Sequence, residues 1–407
     1  MTAKKQSGFE TLAKASLYPQ EQLMKVKKDG HTFLIGLPRE ISLQENRISL
    51  TPDAVALLVG HGHEVWVETK AGVGSKFQDK QYSEAGAKIV YSPQEAYKAD
   101  IILKIEPPTM VEMEHFKPGQ ILISALQLGH LEKNFVDALL QKRMTSLAWE
   151  FIEDKVGGMP IIRSMSEIAG STVMLIAAEY LSSIHDGKGI ILGGITGVPP
   201  TKVVIIGSGT VAEYAARAAL SLGAEIQVFD NHLYKLRRIK HTLGHQFYTS
   251  TIDTVTLGES LASADVVIGA LRAEKGKARH VVSEEMVSRM KANSLIIDLS
   301  IDQGGCIATS EITTHLKPIF RKYDVIHYCV PNVASRVAHT ATTALSNIFT
   351  PTILRAAEEG GVEEMIFSHK WFMRGVYTYK GGLTNESVAR KFGMKFKNIE
   401  LLMAARV

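Results

Sequence analysis

The chain has 407 residues, 45% of them hydrophobic and 22% charged, a composition typical of soluble globular proteins with two or three domains. Its 46 basic and 42 acidic residues give a net charge of +4, which is too small and too dispersed to indicate a nucleic-acid partner. Cys306 and Cys329 are its only cysteines, and they form no C-x-x-C pair, so neither a disulfide framework nor a cysteine zinc site is indicated. We find no spacing typical of metal ligands, no membrane span and no signal peptide, and we expect a reduced, cytoplasmic protein.

Residues 1–31 are polar and lysine-bearing, with amphipathic candidates at 9–17 and 21–26, and we interpret them as an extension of unknown function. From Thr32, short apolar runs alternate with helical patterns. The runs predict strands at 33–37, 64–68, 89–90, 101–104, 121–125 and 145–149, and the patterns predict helices at 52–60, 79–85, 93–98, 132–141 and 166–184. Such alternation predicts a parallel sheet with helices on both faces.

A glycine-rich loop follows the next predicted strand, 202–206, and reads Gly207-Ser-Gly209-Thr210-Val211-Ala212. This pattern, G-x-G-x-x-A, is typical of a dinucleotide-binding turn between a strand and a helix. Gly207 allows the tight turn, Gly209 lets a pyrophosphate approach the backbone, and Ala212 lets the helix pack closely on the strand. Thr210, Val211 and Ala212 begin that helix, whose free N–H groups and positive dipole end favour phosphate.

Asp230 ends the following predicted strand, 21 residues beyond Gly209. Its carboxylate can accept both hydroxyls of an adenosine ribose and would repel a 2′-phosphate, so NAD is predicted rather than NADP. The alternative interpretation is a structural glycine turn, because such turns are common. Strands predicted at 265–270, 294–298 and 325–330 continue this second unit, and a helix at 341–357 leads the chain back towards the first.

Three stretches have a more specific pattern. They are Pro38-Arg-Glu with Glu45-Asn-Arg-Ile-Ser-Leu-Thr-Pro52, then Gly193-Gly-Ile-Thr-Gly-Val-Pro199 before the glycine loop, and Ile297-Asp-Leu-Ser-Ile-Asp-Gln-Gly-Gly-Cys306. Together they resemble the alanine dehydrogenases and the related soluble domain of nicotinamide nucleotide transhydrogenase, and the alanine dehydrogenases most closely.

The resemblance implies an α/β protein of two Rossmann-like doubly wound parallel-sheet domains with a cleft between them. A discontinuous substrate domain would comprise residues 32–163 and 339–407, and an NAD-binding domain residues 164–338. It also implies reversible oxidative deamination of L-alanine, or another small L-amino acid, to a 2-oxo acid and ammonia. Family members form dimers or hexamers, so a homo-oligomer is expected.

Two residues match the family's site, and a third lies where the family has a nicotinamide-side loop. Arg47 is the predicted clamp for a substrate carboxylate, because a guanidinium offers a planar bidentate fork. The alternative is a surface arginine beside Glu45. Asp302 matches the family's active-site aspartate, which implies that it positions ammonia or water, although an aspartate before Gln-Gly-Gly is also a turn former. Asn332 is predicted to contact the cofactor.

Two predicted catalytic positions depart from the family. Glu106 replaces its carboxylate-binding lysine, and Gln127 replaces its catalytic histidine. A carboxylate at Glu106 would repel a substrate carboxylate unless it is protonated or paired with Arg47 or Lys104. Gln127 can polarise a carbonyl but cannot act as an acid or base, so turnover of alanine is expected to be feeble unless His130 substitutes for the histidine.

Two alternatives therefore stay open. One is a dehydrogenase for a basic amino or imino acid whose cationic group meets Glu106. The other is a non-catalytic protein that binds NAD.

Overall fold

The computed structural model describes residues 30–42, 44–272 and 280–404 of the chain. The amphipathic candidates at 9–17 and 21–26 lie outside these described residues. The strands, numbered along the chain, are β1 (Leu34–Leu37), β2 (Glu64–Glu68), β3 (Lys88–Val90), β4 (Ile101–Leu103), β5 (Ile121–Ser124), β6 (Thr145–Ala148), β7 (Lys202–Ile206), β8 (Glu225–Phe229), β9 (Tyr248–Ser250), β10 (Val266–Gly269), β11 (Leu295–Asp298), β12 (Ile319–Lys322), β13 (Val325–Tyr328), β14 (Val376–Tyr379) and β15 (Gly382–Leu383).

The α-helices connect and cover these strands. They are α1 (Pro52–Gly60), α2 (Asp79–Glu84), α3 (Pro93–Ala96), α4 (Met110–His115), α5 (Lys133–Gln141), α6 (Pro160–Leu181), α7 (Thr210–Ser221), α8 (Leu233–Leu243), α9 (Thr254–Ser263), α10 (Glu284–Ser288), α11 (Ala338–Glu358), α12 (Val362–Ser368), α13 (Lys370–Met373), α14 (Glu386–Phe392) and α15 (Ile399–Ala404).

The strands form two largely parallel sheets. The first has the order β15-β14-β6-β5-β4-β1-β2-β3 and the second the order β12-β13-β11-β10-β7-β8-β9. Each sheet buries a hydrophobic core on both faces, since alternate residues of a strand point to opposite sides; Ile101 and Leu103 of β4 lie in one core and Ile102 in the other. The predicted α/β fold with two Rossmann-like sheets is confirmed.

Antiparallel strands at the sheet edges differ from the prediction of parallel strands alone. β12 runs antiparallel to β13, and β14 runs antiparallel to both β6 and β15. The chain reverses between β12 and β13 at Tyr323 and Asp324, whose φ angles are 54° and 56°. Two successive residues with positive φ form the tight hairpin turn that joins antiparallel strands without a crossover helix.

The long helix α6 connects the two sheets. Among the described residues, it is the one helix with the length and apolar composition that a membrane span requires. Val173, Ile176 and Leu181 of this helix are instead fully buried in the core of the second sheet. α6 also lies directly against α7, because a Cβ on Gly170 would stand 2.4 Å from the carbonyl oxygen of Val211.

Candidate active site

Each sheet has one point where the strand order reverses, and the candidate site residues lie beyond these points. In the first sheet β1 lies between β2 and β4, and in the second β7 lies between β8 and β10. In open α/β sheets, ligands bind in the crevice outside the carboxyl ends of the strands at such a reversal. Arg47 and Glu106 follow β1 and β4, whereas the glycine loop follows β7.

The glycine loop has the geometry that a dinucleotide requires. Gly207 has a φ of 112°, and a Cβ there would stand 2.4 Å from the carbonyl oxygen of Ala270 at the end of β10. A Cβ on Gly209 would meet no described protein atom within 4 Å, so the backbone is open above this residue. Thr210 begins the twelve-residue α7 and Gly209 has no side chain to cap it. The loop therefore fits a pyrophosphate at the start of α7.

Asp230 lies at the end of β8, next to the glycine loop. Its Oδ2 accepts hydrogen bonds from the backbone N of Ser208 at 2.9 Å and from the Ser208 hydroxyl at 2.7 Å. Its Oδ1 accepts from the backbone N of His232 at 2.8 Å and lies 3.0 Å from Nδ1 of that residue. Burial alone would raise the pKa of Asp230, but these hydrogen bonds lower it and keep the carboxylate ionised. A ribose hydroxyl that donates to Asp230 would have to share the carboxylate oxygens with the donors of Ser208 and His232, or displace them.

Arg47 is buried and already holds a carboxylate. Its Nε donates to Oε1 of Glu45 at 2.8 Å and its Nη2 donates to Oε2 at 2.6 Å, a bidentate pair. The Arg47 side chain is only 5% exposed, so it is not a surface arginine. Burial would raise the pKa of Glu45, but the charge and hydrogen bonds of Arg47 lower it. The guanidinium fork that we assigned to the substrate is therefore occupied by the protein's own Glu45.

Glu106 and Gln127 contact each other, as neighbours in one site would. The side-chain nitrogen of Gln127 donates to Oε2 of Glu106, and Oε1 of Glu106 lies 3.8 Å from Nη2 of Arg47. Burial, followed by the negative charge of Glu45, raises the pKa of Glu106 from 4.5 to about 7, and Arg47 only partly opposes this. Glu106 is therefore protonated in part of the population at neutral pH.

Lys104 does not pair with Glu106. Its ammonium group donates to Glu40 at 3.0 Å and to Glu112 at 2.8 Å. All three side chains are buried. Burial would lower the pKa of Lys104, but the two carboxylates raise it, so the lysine remains charged within this internal cluster.

The loop that carries Gln127 is held from two sides. Oε1 of Glu150 accepts the backbone N–H groups of Leu126 and Gln127 at 2.7 and 3.0 Å, which fixes Gln127 at a φ of 47°. Nζ of Lys391 in α14 donates to the carbonyl oxygens of Leu128, Gly129 and Leu131. This anchoring directs His130 across the cleft, where its Nε2 lies 3.2 Å from the carbonyl oxygen of Asp302.

Asp302 lies in a short 3₁₀ turn after β11, which the buried Asp298 organises. Asp298 accepts the backbone N–H groups of Ser300 and Cys306 at 3.0 Å each and the hydroxyl of Ser310 at 2.8 Å. Asp302 itself is exposed to solvent at the cleft. The protein around it nevertheless removes part of its hydration and raises its pKa, and hydrogen bonds from backbone N–H groups, that of Gln303 first, and then His130 oppose this rise.

The structure brings most predicted residues of the substrate side into one connected group. Glu106 contacts both Arg47 and Gln127, and Asn332, which we predicted to contact the cofactor, donates to Oε2 of Glu45 at 2.5 Å from the second unit. Sequence reasoning missed the roles of Glu40, Glu45 and Glu150. Glu40 and Glu45 stand inside the quoted family signature, which was the available signal, whereas nothing in the sequence pattern marks Glu150.

Comparisons with known proteins agree with this architecture. The family described as Alanine dehydrogenase/PNT matches with its N-terminal domain over residues 36–169 and its C-terminal domain over residues 173–386. Alanine dehydrogenase 2 of Staphylococcus aureus (strain USA300) is 39% identical over 367 residues, which cover 90% of this chain and 98% of that protein.

Two solved structures are similar in fold. An L-alanine dehydrogenase superposes with a TM-score of 0.84 at 33% identity, covering 88% of this chain and 99% of that one. A transhydrogenase from Sinorhizobium meliloti superposes with a TM-score of 0.75 at 22% identity, covering 87% and 99%.

The two loop glycines are expected to respond differently to alanine. Gly209→Ala should unfold at the wild-type temperature yet bind NADH about tenfold more weakly or worse, a loss of about 1.4 kcal/mol, because its methyl group would occupy the space for the pyrophosphate. Gly207→Ala should lower the unfolding temperature, because its φ and the contact with Ala270 are unfavourable for any side chain. Fluorescence titration with NADH and thermal unfolding measure both. Unchanged NADH affinity in Gly209→Ala would contradict the assignment of this loop.

The raised pKa of Glu106 predicts a pH-dependent stability. Between pH 4.5, the usual pKa, and about 7, the folded protein keeps a proton that the unfolded chain releases, so stability falls as pH rises through about 7. Glu106→Gln lacks this titration. Its free energy of unfolding relative to that of wild type should therefore increase by up to about 3 kcal/mol between pH 5 and pH 8.

Thermal unfolding at several pH values measures this difference. Glu285→Gln, at an exposed position on α10, is the matched control and should track wild type. A constant difference between wild type and Glu106→Gln across this pH range would contradict the raised pKa.

Proposed function

The chain belongs to the alanine dehydrogenase/PNT family, and from this premise we propose that it is an NAD-dependent amino-acid dehydrogenase. The reaction is the reversible oxidative deamination of an L-amino acid to a 2-oxo acid and ammonia. The observation that carries the proposal is the meeting of two sets of residues across one cleft. Arg47, Glu106 and Gln127 come from the first sheet unit, and Asp302 and Asn332 come from the second.

The cofactor is held by the second unit in this proposal. Gly207, Gly209 and the first N–H groups of α7, at Thr210, Val211 and Ala212, receive the pyrophosphate. Asp230 accepts the hydroxyls of the adenosine ribose, and its lowered pKa keeps it an acceptor. When bound, the nicotinamide supplies the hydride chemistry, and the protein contributes position and electrostatics.

The domain division that we propose follows the two sheets. Residues 32–163 and 339–407 form the substrate domain, supported by β14 and β15, which extend the edge of the first sheet beside β6. Residues 164–338 form the cofactor domain.

We also propose a cytoplasmic homo-oligomer, a dimer or hexamer. This proposal is supported by the loop between α6 and β7, which exposes the apolar side chains of Ile191, Ile195 and Val198.

On the substrate side, Asp302 orients ammonia or water at the reacting carbon. Gln127 donates a hydrogen bond that polarises the substrate carbonyl. It does not titrate near neutral pH, so it contributes no proton. Arg47 reaches a substrate carboxylate only if Glu45 yields part of its bidentate contact.

L-Alanine is the substrate that the family implies, and the present site should turn it over feebly. A small monocarboxylate would meet Glu106 in the place of the family's lysine, and would find glutamine in place of histidine. General acid–base catalysis contributes a factor of roughly 10² to 10⁴, so the missing histidine alone accounts for a large loss.

Restoring the two family residues tests this proposal. The double variant Glu106→Lys, Gln127→His should oxidise NADH with pyruvate and ammonia roughly 10²-fold faster than wild type or more, because it regains a carboxylate partner and a proton carrier. Each single variant should gain less, and thermal unfolding should show that all variants fold. A wild type that matches the double variant would refute the assigned roles of Glu106 and Gln127.

A further inference from the structure

We infer that the substrate carries a cationic side-chain group, a terminal ammonium or guanidinium, and that Glu106 binds it. The inference rests on the proposed function for the reaction, but it names the class of substrate from the charges in the cleft.

The arginine of the site is already neutralised. Both oxygens of Glu45 receive the Arg47 fork at 2.6 to 2.8 Å, and Nη1 of Arg47 lies 3.4 Å from the sulfur of Met165 in α6. Asn332 donates to the same Glu45 carboxylate from the second unit. An incoming carboxylate must therefore displace a buried internal partner to reach Arg47.

The lysine of the site is neutralised as well. Lys104 lies between Glu40 and Glu112 and is 1% exposed. Oε1 of Glu40 also accepts the backbone N–H of Ile105 at 2.6 Å, which fixes this carboxylate at the carboxyl end of β4. Lys104 is thus directed into the protein and away from the cleft.

The two ionic clusters, around Arg47 and around Lys104, together contain more carboxyl groups than cations. Arg47 and Lys104 face the carboxyl groups of Glu40, Glu45, Glu106 and Glu112. Glu106 has the weakest ionic contact of the four, 3.8 Å from Arg47, and its other partner is the uncharged amide of Gln127. Its side chain is 15% exposed, against 1 to 6% for the other three.

Glu106 is therefore the most exposed carboxyl group of the two clusters, and a bound cation would supply the positive charge needed to balance it. Burial and the neighbouring carboxylates raise its pKa for the same reason. Across the cleft, the exposed Asp302 adds a second carboxyl. A substrate with a second amino group fits this field, whereas pyruvate, which carries only a negative charge, is repelled by it, and zwitterionic alanine has no side-chain cation to place beside Glu106.

A matched pair of ligands tests the inference. L-Lysine and L-norleucine differ in the terminal ammonium, so their affinities for the protein–NADH complex isolate its contribution. We expect L-lysine to bind about tenfold more tightly or better, since a hydrogen bond to a charged group contributes about 1.5–3 kcal/mol. Glu106→Gln should abolish this preference, and Glu285→Gln on α10 should retain it. Equal binding of both ligands by wild type, or a preference that survives in Glu106→Gln, would overturn the inference.

The pH dependence in wild type provides a second test that needs no variant. The ratio of L-lysine to L-norleucine affinity should rise between pH 6 and pH 8, as Glu106 becomes ionised, and a constant ratio would also overturn the inference. The charged groups nearest to Glu106 are Glu40, Glu45 and Arg47 after β1 and Lys104 after β4, with Glu150 behind the Gln127 loop.

Turnover distinguishes this inference from the proposed reaction. A lysine preference without NADH formation from any amino acid would sustain the inference and refute the deamination. Efficient turnover of L-alanine without a preference for cations would sustain the deamination and refute the inference.

Discussion

The bidentate ion pair between Glu45 and Arg47 sets the charge balance of the cleft. Glu45 occupies both donors of the Arg47 fork, the guanidinium that we assigned to the substrate, and balances its charge before any ligand binds. A buried ion pair of this kind resists separation, because removing one partner leaves an uncompensated charge in a medium of low polarity. Because Arg47 is neutralised by Glu45, the ionic contact between Glu106 and Arg47 is a weak one at 3.8 Å.

The fold holds this ion pair in place through contacts between distant parts of the chain. Backbone N–H groups on either side of Arg47, at Asn46 and Ile48, donate to the hydroxyls of Ser335 and Thr342 at 2.9 and 3.0 Å. These hydroxyls belong to the segment that leaves the second sheet and begins α11. The loop that carries Arg47 is therefore hydrogen-bonded to the segment that connects the second sheet to α11. The same hydrogen bonds hold the two sides of the cleft together.

Much of the fold could be predicted from the sequence, because buried parallel strands are continuous apolar runs; β2 and β7 were predicted at their observed bounds. β9 and β12 were missed, since short edge strands are half exposed and carry mixed residues. β14 and β15 were missed as well, although β14 is buried between β6 and β15. The loops that hold Arg47, Glu106, Gln127 and Asp302 were located by their motif resemblance. The electrostatics could not be predicted, because which carboxylate pairs with Arg47 or Lys104 depends on side-chain directions that sequence spacing does not determine.

The most direct test of the central claim is the number of protons exchanged when L-lysine binds the protein–NADH complex at pH 7, measured calorimetrically in buffers of different ionisation enthalpy. A cation beside Glu106 lowers its pKa, so the account predicts release of about half a proton per site, and no release in Glu106→Gln. Proton uptake on binding, or a release that persists in the variant, would contradict the claim that Glu106 is the uncompensated carboxyl of the cleft.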